Sequence, residues 1–138
     1  MREILFKAKR LDNKKWVEGV PVDVTPLHCF SEDNIKKEVV MVRARFADWG
    51  MPRGIEGVKV YPSTVCQYIG LKDKNKVKIF EGDIIRIIGS KKPGLPSDVK
   101  YLSEQCQFVI HRDNYNPIWM SEFDPEKHFE IIGNIYGD

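Results

Sequence analysis

Glu81 and Asp83, separated only by Gly82, are the side chains whose spacing first suggests chemistry. Two close carboxylates can divide general acid and base work when their surroundings push the two pKa values apart. No His, Cys or Ser stands near them in sequence to complete a catalytic set. Directly after them comes Ile84-Ile85-Arg86-Ile87-Ile88. Glu-Gly-Asp therefore reads as a corner at the start of a strand: glycine supplies positive φ, and Asp83 can accept bonds from nearby backbone N–H groups. The Ile-rich run, polar only at Arg86, reads as a strand largely buried on both faces.

The remaining reactive side chains are scattered. His28 and Cys29 are adjacent but lack a second ligand pair. Cys29, Cys66 and Cys106 are widely spaced and form no Cys-x-x-Cys, which argues against a zinc site and a disulfide framework. No phosphate loop is present. These residues predict no catalytic site, no metal and no cofactor.

Binding chemistry is easier to place. Arg43 and Arg45 share one face of a predicted strand, with Lys36 and Lys37 nearby. Lys91 and Lys92 lie in the loop-like stretch from Gly89 to Asp98. With Trp49 and Tyr68, these cations are the candidates for contact with single-stranded nucleic acid, which small barrels bind through basic and aromatic side chains. Trp49, Met51 and Trp119 are the candidates for an apolar interface between copies. The net charge of +2 is small for a dedicated nucleic-acid binder. Lys72 to Lys76 reads as a solvated loop tip.

The elements that must carry these residues read mainly as strands. Ile4, Phe6 and Ala8 fall on one face with Glu3, Lys7 and Lys9 off it, and Asp12-Asn13-Lys14-Lys15 turns the chain into Trp16–Val20, predicting a hairpin. Pro21 and Pro26 discourage a central strand beyond it. Val40, Val42, Ala44 and Phe46 alternate with Arg43 and Arg45 as a further strand. The stretch 47–57, with Gly50, Pro52, Gly54 and Gly57, reads as a long loop. Val58–Tyr61 is a short strand, and Ser63 or Thr64 is placed to cap one helical turn. Val99–Leu102 and Cys106–His111 form a second hairpin, Ile118–Met120 a short strand, and Phe129–Tyr136 a closing strand with a bend at Gly133. No long stretch has a 3.6-residue period.

One segment is more specific than the rest. Gln67-Tyr68-x-Gly70-Leu71-Lys72-Asp73-Lys74-Asn75, followed by Ile79-Phe80-Glu81-Gly82-Asp83-Ile84, resembles the core of the YopX family of phage and prophage proteins. Arg2–Ala8 resembles that family's opening strand and Phe129–Tyr136 its closing strand. The chain departs from the family pattern at Lys76-Val77-Lys78, where a glycine usually follows the asparagine, and at Lys9-Arg10, where Trp-Asp is usual. The resemblance implies a fold and a phage or prophage setting, and assigns no reaction.

Together these readings predict a mainly β fold, a small barrel-like (pseudo-barrel) sheet with long loops and at most one or two short helices. The 138 residues make one domain, with a division into β lobes at about 1–61 and 62–138 as the alternative. No apolar run reaches the roughly 20 residues that span a bilayer. The expectation is a cytoplasmic, non-catalytic binding or accessory module that forms a homo-oligomer without membrane contact. The alternative is a single-stranded nucleic-acid-binding barrel.

Overall fold

The computed structural model describes residues 2–25, 36–46, 50, 52–89, 95–112 and 116–137. His28, Cys29, Trp49, Met51, Lys91 and Lys92 lie outside them, so the readings made on those residues have no structural counterpart. The chain forms two compact units. The N-terminal unit is Ile4–Cys66; the C-terminal unit combines Met1–Glu3 with Gln67–Asp138.

In the N-terminal unit, β1 (Phe6–Lys9), β2 (Trp16–Asp23), β3 (Val39–Phe46) and β4 (Pro52–Val60) form an antiparallel meander in that order. The predicted opening hairpin is present, with Ala8 opposite Val17. Two expectations change. β2 runs through Pro21 to Asp23, because over Val20–Asp23 it pairs with β3 and not with β1. That arrangement leaves proline a strand side needing no N–H. The predicted loop over 47–57 is a strand from Pro52 onward, since Gly54 and Ile55 fall opposite Arg45 and Ala44.

The end of β4 returns to the end of β1. Arg10 bridges Val60, the Tyr61 N–H donates to the Lys9 carbonyl (2.9 Å), and the Leu11 N–H donates to the Lys59 carbonyl (3.1 Å). A 3-10 turn at Pro62–Thr64 fixes this return. Its Thr64 does not cap the turn. Its hydroxyl instead accepts the Lys9 N–H (2.9 Å) and donates to the Tyr61 carbonyl (2.8 Å). The sheet thus curls without closing around Ala8, Val17, Val39, Met41 and Val60. Alternation on β3 is as predicted, but the buried face is the Val39–Met41 face. Register aligns it with Val17 and Val60, and it continues into Arg43 and Arg45. Val40 and Val42 face outward beside exposed Val20 and Val22.

The C-terminal unit contains the hairpin of β5 (Cys66–Lys72) and β6 (Lys78–Phe80). It also contains an antiparallel sheet in the order β10-β9-β8-β7-β11. The members are β7 (Asp83–Ile87), β8 (Ser97–Leu102), β9 (Gln107–Ile110), β10 (Ile118–Trp119) and β11 (Phe129–Asn134), with a 3-10 turn at Met120–Glu122 and a helical turn, α1 (Pro125–His128). The predicted second hairpin pairs Val99 with Ile110, and the predicted bend near Gly133 is a register shift between Ile131 and Gly133. β7 buries one face only, through Ile85 and Ile87, while Arg86 is exposed. Ile79, Ile85, Ile87, Val99, Ile110, Ile118 and Phe129 form the core. The fold is mainly β and antiparallel with little helix, and among the described residues no sheet closes into a barrel.

Candidate functional site

Two carboxylates of the conspicuous central segment, Asp73 and Asp83, are occupied by backbone and amide donors. Gly82 takes φ +81°, which fits the predicted corner. Asp83, 2 % exposed, accepts the Phe80 N–H at 2.8 Å and the Asn134 amide at 2.9 Å. Asp73, 1 % exposed, accepts the N–H groups of Asn75 (2.8 Å), Val77 (3.0 Å) and Ile131 (3.2 Å). It anchors a loop that reads from sequence as only a solvated tip. Asp-x-Asn, the local turn pattern in which a carboxylate accepts the N–H two residues on, is the signal for it.

The turn altered at Lys76 has a clear geometry. Lys76 has φ +63°, a left-handed conformation that favours the glycine usual there, and a lysine costs about 1–2 kcal/mol in it. Tyr68 is buried against Phe80, with Lys78 Nζ 5.4 Å from its ring centre, so it offers no face to a base. Trp119 is half-buried on β10 opposite Val109.

Glu81 stands apart from Asp83. It lines an open hollow of about 570 Å³ with Arg2, Gln67, Tyr101, Cys106, Gln107 and Phe108. Burial pushes its carboxyl above the usual range, against the N–H groups of Gln67 and Tyr101, which favour the charged form. His111 lies 3.5 Å from Asp98, and His128 Nδ1 is 3.0 Å from the Ile88 carbonyl. Among the described residues no three His, Cys, Asp or Glu side chains are grouped to hold a metal.

The N-terminal unit brings cations and an aromatic ring together. The β2–β3 ladder ends at Val20 and Val42. Gly19 marks this limit, because a Cβ there would stand 2.5 Å from the Val42 carbonyl oxygen. Beyond it lies a hollow of about 640 Å³ lined by Trp16, Val17, Glu18, Arg43, Ala44, Arg45 and Glu56. Arg43 and Arg45 are two of the predicted binding residues. They flank Glu56, which pairs with the Arg43 guanidinium and lies 4.0 Å from that of Arg45. Lys7 and Lys9 place their ammonium groups 4.9 and 5.4 Å from the Trp16 ring centre. Trp16 reads from sequence as core or partly covered in the hairpin, with a place in a pocket as the alternative. Its part in this cleft depends on where β2 and β3 separate, which no local pattern encodes.

The motif geometry accounts for the family pattern: Asp73, Asp83 and Asn134 tie β5–β7 to β11 by hydrogen bonds. A family model, YopX protein, matches residues 5–138, and the chain belongs to that family. A search of curated proteins finds no match.

Proposed function

We propose that the protein is a non-catalytic binding module of phage or prophage origin that self-associates in the cytoplasm. One observation carries this reading: the outward apolar face of the N-terminal sheet. Val20 and Val22 are 48 % and 43 % exposed and pair in register with Val42 and Val40, while Ile55 on β4 is 76 % exposed. Contiguous exposed apolar area of this kind marks an interaction surface. The non-catalytic part draws support from Asp73 and Asp83, whose oxygens are taken up by backbone and amide donors.

Light scattering after size exclusion tests it. The wild type should run at a fixed multiple of 16.0 kDa, and Val42→Glu should run at a lower mass with an unchanged circular-dichroism spectrum. A wild-type monomer at every concentration sinks the self-association reading.

A further inference from the structure

We propose that the cleft between β2 and β3 binds single-stranded nucleic acid, with a base against Trp16 and successive phosphates on Arg43 and Arg45. This goes beyond self-association and does not depend on it. Three features of the cleft support it. First, Arg43 and Arg45 lie two residues apart on one strand, which spaces their stems by about 6.8 Å. That is comparable to the phosphate repeat of an extended single strand. Second, Trp16 lines the same hollow as the two arginines. A base splayed from its neighbours stacks on an indole, whereas a duplex keeps its bases turned inward. Third, Lys7 and Lys9 stand beside Trp16, outside the lining of the hollow, which itself sets Arg43 and Arg45 against Glu18 and Glu56. The two spaced arginines with lysines flanking the ring suit a polyanion, and the open cleft suits a ligand that runs through it.

Glu56 makes the proposal sharper. Its carboxylate lies between the two guanidinium groups, where a phosphate would go. A bound phosphate displaces or repels it, so Glu56 holds affinity down.

The experiment is fluorescence anisotropy of a labelled oligothymidylate of about a dozen nucleotides, a length within the range of small single-strand binding sites. It is titrated with the full chain at several salt concentrations, beside a duplex of equal length and an acidic peptide. The expected result is binding to the single strand that weakens with salt and exceeds both competitors. Arg43→Ala and Arg45→Ala should each lower the slope of log K against log salt by about 0.7. Trp16→Leu should weaken binding at least fivefold and leave that slope unchanged. Glu56→Gln should tighten binding severalfold. Arg43, Arg45 and Glu56 are surface positions, so a fold check by circular dichroism separates loss of contact from loss of structure. No binding at low salt, equal affinity for duplex or acidic peptide, an unchanged slope in both arginine variants, or an unchanged Glu56→Gln affinity overturns the proposal.

Discussion

The two units use their charged residues in opposite ways. In the C-terminal unit Asp73 and Asp83 are almost fully buried, and backbone or amide donors meet their oxygens. In the N-terminal unit the corresponding chemistry lies at the surface: Arg43, Arg45 and Glu56 extend the inner sheet face past its apolar core. A buried carboxylate that accepts several N–H bonds is a structural tie whose loss leaves donors unmet. An exposed ion pair contributes little to stability and is available to a ligand. The densest motif of the chain thus maintains the fold, while the less conspicuous N-terminal strands leave charged and apolar side chains at the surface.

Breaking that contrast starts with Asp73→Ala. It leaves three backbone N–H groups without their acceptor at a partly buried site, and denaturant unfolding should show a loss of about 1–3 kcal/mol. A loss under about 1 kcal/mol would put the tie in doubt. Gly19→Ala comes next. Its methyl meets a backbone carbonyl, so the strands must shift, and the N-terminal unit should lose about 1–3 kcal/mol. Hydrogen exchange should place the loss in β2 and β3 and leave β7 and β11 protected.

The smallest effect concerns pH and Glu81. Burial raises its folded pKa above the unfolded value of about 4.3. The folded state then binds the proton more tightly, so the associated stability is present below the unfolded pKa and is lost as pH rises through the folded one. Glu81→Gln should flatten this part of the stability profile and raise the denaturant midpoint at neutral pH. A variant that keeps the wild-type pH dependence would assign it to another group.

Much of the fold was legible because short-range signals agreed with it. Period-two alternation located β1 and β3, turn residues located the two hairpins, and Glu-Gly-Asp located the corner before β7. The misreadings share one cause: they depended on register. Pro21 sits in a strand because β1 has stopped pairing there. Gly54 and Gly57 sit in a strand because β3 supplies partners. The outward valine face was read as the alternating apolar set, although which face is buried is decided by Val17 and Val60, distant in sequence. Of the residues in the proposed cleft, Arg43 and Arg45 were legible as paired cations. Their meeting with Trp16 was not, since it arises where two strands part company.

The sheet order of the C-terminal unit also has a consequence for synthesis. On the ribosome β1 to β4 emerge next to their partners, so the N-terminal meander can assemble as it appears. β7, by contrast, lies between β8 and β11, and β11 is made only after β8, β9 and β10. Until then one edge of β7 stands open, Asp73 and Asp83 lack the donors that Ile131 and Asn134 bring, and the place of Phe129 in the core is unfilled. A pause in translation between β10 and β11 would therefore hold a chain with one finished half and one half exposed to proteases and to other nascent chains.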